Sequence, residues 1–229
     1  FLLPVIFYFS LIVGSSRGAF SIGTLISVIL IYLLSFNKKE MLQFSFIILI
    51  LFFGTIFLKA PILQKQISNQ NNHDILAQRD KVWRASFEVA RLNPLLGIGS
   101  GNWKQIKIDQ IKSSVESRGG TFNESDFALQ WGHPHNIYLS NLVDRGILGL
   151  IIFLSFMVIW LITLINSYKK FNQDSKAMLF IMGSFSAWVT IFGIGFVNTT
   201  FHHENALLAL FFLGLHLSYL RQKNQLKLF

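Results

Sequence analysis

Cysteine is absent from the 229 residues, which removes a disulfide framework, a thiol nucleophile and any cysteine-ligated zinc site. Charge is scarce as well: Asp, Glu, Lys and Arg make up 14% of the chain, where a soluble domain carries about 25%. The deficit is concentrated in uncharged runs, and a helix crossing a bilayer needs roughly 20 apolar residues. Also missing is a start of the secretory kind. The chain opens at Phe1 inside an apolar run, with no initiator Met and no basic n-region. No signal peptide is read there, and the chain is expected to be the C-terminal part of a longer protein. A net charge of +9 raises nucleic acid as a partner, but the basic residues form short clusters and no continuous basic face. Nucleic acid is therefore not expected.

What the chain does have is hydrophobic residues, 52% of the total, in six runs: 1–13, 18–36, 41–58, 146–165, 177–197 and 206–220. Backbone amides in hydrocarbon must be satisfied within their own segment, so each run is predicted to be an α-helix. Ile137 is taken as the start of the fourth helix, giving 137–165. The predicted fold class is an all-α, polytopic transmembrane helical bundle, read as a single membrane domain over 1–229. Orientation follows from Lys and Arg in the short connections. Lys38 and Lys39, then Lys169, Lys170 and Lys176, then Arg221, Lys223 and Lys227 fall on one side if every run crosses once. That side is the cytoplasm. Residues 14–17, a long loop over 59–135, and the turn 198–205 then face outward.

A loop of this length is more than a connector. Within it, 77–92 reads as an amphipathic helix, with Val82, Ala85, Val89 and Leu92 on one stripe and Trp83, Phe87 and Ala90 beside it. Asn93-Pro94 ends that helix, because the residue before proline is pushed out of the α region. Gly97-Ile98-Gly99-Ser100-Gly101 follows. No strand precedes it, so it fails as a dinucleotide fingerprint. It is read as a turn that brings backbone amides near a ligand or the membrane surface. Residues 104–120 are polar and basic, with weak helical character at best.

Three outward features carry candidate chemistry. Arg17, in Ser15-Ser16-Arg17-Gly18, sits at a membrane boundary, where a charge is costly unless paired. It either serves a function or snorkels to lipid phosphate. Arg79 and Arg84 present planar forks suited to a pyrophosphate, or else form a solvated helix face. His135, in His133-Pro134-His135-Asn136, is placed at a helix start to accept a proton at neutral pH. Zinc ligation by His133, His135, His202, His203 and Glu204 is the rival reading, and an interfacial cap the plain one. The turn 198–205 shares this face by location alone.

His133-Pro134-His135-Asn136-Ile137-Tyr138-Leu139, followed by Gly146-Ile147-Leu148-Gly149, resembles the His-Asn pair and Gly-x-x-Gly of the O-antigen ligase and polymerase superfamily. Ser16-Arg17-Gly18 is similar to that family's Ser-Arg-Gly at a periplasmic helix end. Arg79 with Trp83, then Asn93-Pro94-Leu95-Leu96-Gly97-Ile98-Gly99, resembles its Arg-x-x-x-Trp and Pro-x-x-Gly-x-Gly segments. The order matches over nearly the whole chain. Departing from the pattern, the acidic residue before the first glycine is displaced, with Asp144 followed by Arg145. The resemblance implies a lipid-carrier glycosyltransferase of the bacterial inner membrane, with a periplasmic active site. Its donor would be a glycan on undecaprenyl pyrophosphate. The acceptor would be a lipid A core sugar, a growing glycan or a protein side chain, as in a ligase, a polymerase or an oligosaccharyltransferase.

Residue chemistry agrees. Glycosyl transfer from a pyrophosphate needs charge stabilisation of the leaving group and a base for the acceptor hydroxyl. No Asp-x-Asp pair is present to hold a metal, and no cofactor is expected. Arg17, Arg79 and Arg84 are read as the pyrophosphate grip and His135 as the base of an inverting transfer. Asn136, His133, Trp83, Gly146 and Gly149 are read as supporting residues. A zinc-dependent membrane hydrolase and a non-enzymatic lipid-glycan transporter are the alternatives from other classes.

Overall fold

The computed structural model describes residues 79–129 and 132–223, apart from His202 and the side chains of His203 and Glu204, together with short helical stretches within 23–54. The chain divides into two compact units, Phe1–Ile75 and Leu76–Phe229. Of the first three predicted runs, residues 23–26, 28–29, 42–43, 46–50 and 53–54 are described, and all are helical. Arg17 lies outside the described residues. No strand occurs among the described residues.

The second unit contains five helices among its described residues: α1 (Arg79–Leu92), α2 (Ile108–Glu116), α3 (Ile137–Phe171), α4 (Ser175–Ile194) and α5 (His203–Gln222). Two of them, α3 and α4, are long and apolar enough to cross a membrane. They run antiparallel. Near one end the Tyr138 hydroxyl donates to the Phe192 carbonyl at 2.8 Å, and further along Trp160 Nε1 donates to Ser184 Oγ at 2.9 Å. Phe153, Phe156, Phe192 and Trp160 fill the space between them. Helix α5 closes on the far end, where buried His216 shares a hydrogen bond with Ser167.

That far end carries the lysines. Asp174 caps α4, accepting from the amides of Lys176 and Ala177, and also takes the Tyr219 hydroxyl at 2.8 Å and Lys223 Nζ at 3.4 Å. The Ala177 amide and the Tyr219 hydroxyl lead in holding its carboxyl down to about 2. Asp174→Ala is expected to speed tryptic cleavage at the α3–α4 turn, whereas Asp174→Asn, which keeps a capping oxygen, should stay close to wild type. Equal cleavage of all three would show that the cap is redundant.

The described part of the loop packs against the start of α3. Val82, Ala85 and Val89 of α1, Trp103, Ile111 of α2, Ala128 and Val143 of α3 form one buried cluster. Val82, Ala85 and Val89 follow the predicted stripe. Leu92, at its end, is 40% exposed, and Phe87 is 50% exposed, while Ser86 and Glu88 are buried. The helical stripe is therefore turned toward the 86–90 side. The segment 104–120 also departs from expectation, because it contains α2. Ile108, Ile111 and Val115 recur at helical spacing and pack on the cluster. At its start, Gln110 Oε1 accepts the Lys107 amide at 2.8 Å.

The glycine-rich turn does something other than present amides to a ligand. Helix α3 is broken at Gly146 (φ 66°, ψ −168°), so the continuous helix predicted from 137 is two helical pieces, and the second runs on to Phe171. A break leaves carbonyls and amides without helical partners. Here the amides of Ile98 and Gly99 donate to the carbonyls of Val143 and Asp144 at 2.9 and 3.0 Å. In return, the carbonyls of Pro94 and Leu95 accept from the amides of Ile147 and Leu148 at 2.9 and 3.4 Å. Loop and helix break cap each other.

Candidate functional site

Asn136 builds the corner where the candidate residues meet. Its Oδ1 accepts the amides of Tyr138 and Leu139, making it the N-cap of α3. Its Nδ2 donates to the Phe196 carbonyl at 3.0 Å, and the Ile137 amide donates to the Gly195 carbonyl at 2.8 Å. The start of α3 is thus pinned to the end of α4, opposite the lysine-bearing end. Asn136 is a structural support for its neighbour.

That neighbour, His135, stands at φ 50°, alone among the described non-glycine residues in having positive φ. Such a conformation costs roughly 1–3 kcal/mol and persists only where the surroundings determine it. The anchored Asn136 after it and Pro134 before it supply that constraint. Its ring lies against His133, centroids 4.0 Å apart, and hydrogen-bonds the Asn198 side chain. Burial is the first cause holding the His135 imidazole below the ordinary histidine range. The charges of His133 and Arg79 push the same way, and the Asn198 hydrogen bond opposes them. The ring is therefore neutral at pH 7 and able to take a proton.

Against His133 lies a cavity of about 360 Å³, walled also by Lys104, Ser140, Asp144 and Thr199. Ser140 and Asp144 are four residues apart on the first piece of α3 and so share a face. Ser140 and Thr199 hydroxyls lie 3.3 Å apart. Hydroxyls, a carboxylate and an amine around one space suit a polyhydroxylated ligand.

The charge of Arg79 acts on the His135 ring and lowers its pKa, behind burial and the charge of His133. Arg84 goes elsewhere. Five residues further along a helix is about 140° around it, and Arg84 opens onto a separate groove with Arg91 and Arg118. Trp83 is half-buried in α1, and its Nε1 has no hydrogen-bond partner among the described residues. Gly146 forms the helix break, and a Cβ on Gly149 would lie 2.1 Å from Arg145 Cβ. No three His, Asp or Glu residues gather as a metal site among the described residues, and the side chains of His202, His203 and Glu204 lie outside them. Sequence reasoning placed Asn198 and Thr199 on this face only by location, as part of the turn 198–205, and missed Ser140 as a site residue. For Ser140 a signal existed in its spacing to Asp144. For the other two, only the tertiary fold brings them in.

The sequence has relatives with provisional names. A protein of Rickettsia typhi, provisionally named a polysaccharide ligase, is 26% identical over 205 residues, covering 86% of this chain and 46% of the relative. A Rickettsia prowazekii protein with the same provisional name is 26% identical over 222 residues, covering 86% and 51%. The chain thus spans about half the length of these curated relatives. The family profile described as O-antigen ligase matches residues 2–154, a stretch that includes the glycine-rich turn, His135, Asn136 and the break at Gly146. With most of its length inside that match, the chain belongs to the O-antigen ligase family.

Proposed function

We propose that this chain forms the catalytic end of an enzyme that transfers a glycan from undecaprenyl pyrophosphate to an acceptor hydroxyl at the periplasmic face of the bacterial inner membrane. The observation that carries the reading is the His135 ring, held at φ 50° against His133 and within the influence of the Arg79 charge, at the helix end opposite the lysines. Family membership and the ligase names of the relatives support it.

His135 takes the proton of the acceptor hydroxyl. The acceptor oxygen forms a bond to the anomeric carbon on the face opposite the phosphate. The bond from that carbon to the phosphate oxygen breaks, its electron pair leaves with the pyrophosphate, and the centre inverts. Arg79 neutralises the charge that grows on the leaving group. The cavity wall of Ser140, Asp144 and Thr199 holds the acceptor sugar beside the base.

Two measurements test this. Full-length protein in liposomes with labelled lipid-linked glycan should transfer label to a lipid A core, glycan or peptide acceptor, and should do so in excess EDTA. Loss of transfer on chelation would instead favour a zinc-dependent hydrolase, and absence of any transfer would favour a transporter. Arg79→Lys keeps the charge but loses the bidentate fork, so transfer should fall about tenfold or more. An undiminished Lys variant would return Arg79 to a generic surface role.

A further inference from the structure

On another side of α1 from Arg79 lies a second groove, of about 510 Å³, lined by α1, the end of α2 and the stretch after it. Three arginines face it: Arg84, Arg91 and Arg118. Two are held in place from below. Glu88, its side chain only 10% exposed, pairs with both Arg91 and Arg118 and accepts the Ser114 hydroxyl at 2.9 Å. Arg118 is fixed a second time, donating from Nη1 to Ser114 Oγ at 3.0 Å. Burial works against the Glu88 charge, but the hydrogen bonds from Arg118 and Ser114 and the two guanidinium charges outweigh it, so the carboxyl stays ionised.

This arrangement leaves donor capacity over. Each guanidinium has five N–H groups, and the contacts to Glu88 and Ser114 use a minority of those on Arg91 and Arg118. Arg84 makes no ion pair among the described residues. The remaining wall mixes Asp126 with the half-exposed ring of Phe87. An aromatic face gives apolar contact to the C–H side of a pyranose. A carboxylate accepts from sugar hydroxyls, and guanidinium forks take carboxylates in pairs. Pre-oriented forks over a buried carboxylate lose less freedom on binding than loose side chains would.

We propose that this groove is a docking subsite for acidic sugar residues of the glycan, such as uronic acids, separate from the place where the glycosidic bond forms. The identity of the ligand as glycan rests on the transfer reading above. A chain of several sugars whose end lies at His135 can reach the groove across α1, because that one helix carries Arg79 on one side and Arg84, Phe87 and Arg91 on another.

The test uses full-length protein in phosphatidylcholine nanodiscs without donor lipid. Tetragalacturonate should bind and maltotetraose, the neutral oligosaccharide of equal length, should bind at least tenfold more weakly. Arg84→Ala should lower tetragalacturonate affinity about tenfold, the loss typical of one charged hydrogen-bonding partner, and added salt should weaken binding further. Arg84 is the residue to change because it supports no other side chain. His135→Ala protein should bind tetragalacturonate as well as the wild type does. Equal affinity for the two oligosaccharides, no measurable binding of either, or unchanged binding by Arg84→Ala overturns the subsite. So does displacement of the oligosaccharide by phosphatidylglycerol in the disc, which would make the groove a headgroup site. Failure of transfer by wild type with binding intact would count against the transfer reading alone, and the reverse result against the subsite alone.

Discussion

His135→Ala should lower glycan transfer by about 10²–10⁴-fold, the usual contribution of a positioned general base, while leaving capture of the lipid donor close to wild type. The ring has no structural duty comparable to that of its neighbour. Asn136 carries the cap of α3 and the bond to Phe196, so Asn136→Ala should damage both fold and transfer, but His135→Ala should damage transfer alone. Removing the imidazole leaves the left-handed strain in place, since alanine at φ 50° keeps the Cβ that causes it. Near wild-type transfer by the His135 variant would reject the base assignment outright.

The pH profile gives a second, independent reading of the same ring. A base must be neutral to act, so transfer should rise with pH through the His135 pKa and then level off. Burial first, then the charges of His133 and Arg79, place that rise below the ordinary histidine range. Arg79→Gln removes one of those charges. The acid limb of the profile should then move to higher pH, in addition to any loss of rate from the weakened grip on pyrophosphate. A fall in rate with an unmoved acid limb would mean that Arg79 binds substrate without touching the base electrostatically.

How far the amino-acid pattern leads to this site depends on the kind of force involved. Helices α3, α4 and α5 were legible because long apolar stretches have few other folds. Val82, Ala85 and Val89 were legible because helical spacing marks a buried stripe. Phe87 defeats the same rule, since at 50% exposure it faces the arginine groove while Glu88, a charged residue, is buried. Composition ranks Phe above Glu for burial, but Glu88 is buried because Arg91, Arg118 and Ser114 satisfy it there. Arg91 is a helical neighbour at i+3, but Ser114 and Arg118 lie 26 and 30 residues away and have no local signature. Helix α2 was missed for a related reason: Ile108, Ile111 and Val115 are few among polar neighbours, and the cluster they join is made by other segments. Asn198 was placed on this face only as part of the turn 198–205, and its hydrogen bond to His135 has no signature in the sequence.

Gly146→Ala is the substitution expected to do most damage to the fold of this unit. Alanine cannot easily adopt φ 66° with ψ −168°, a region open essentially to glycine, which costs roughly 1–3 kcal/mol. A Cβ there would also stand 2.3 Å from the carbonyl carbon and oxygen of Leu95 and 2.6 Å from the Leu96 amide. These are backbone atoms that cannot swing aside, so overpacking adds roughly another 1–3 kcal/mol. Relief requires the loop to withdraw, and withdrawal breaks the four reciprocal hydrogen bonds between 94–99 and 143–148. Gly97→Ala should behave alike, because its Cβ would meet the Arg145 amide at 2.4 Å from the other side. Gly214→Ala is the control: nothing lies within 4 Å of its Cβ, and alanine favours a helix, so it should be neutral or mildly stabilising. Thermal unfolding followed by tryptophan fluorescence, with limited proteolysis of the loop, reads the difference. Gly146→Ala and Gly97→Ala should lower the midpoint, expose the loop and lose transfer together, whereas His135→Ala should lose transfer with loop and midpoint intact. If Gly146→Ala kept a wild-type midpoint and a protected loop, the mutual capping of loop and helix break would not be what holds Asp144, Ser140 and His133 around one cavity.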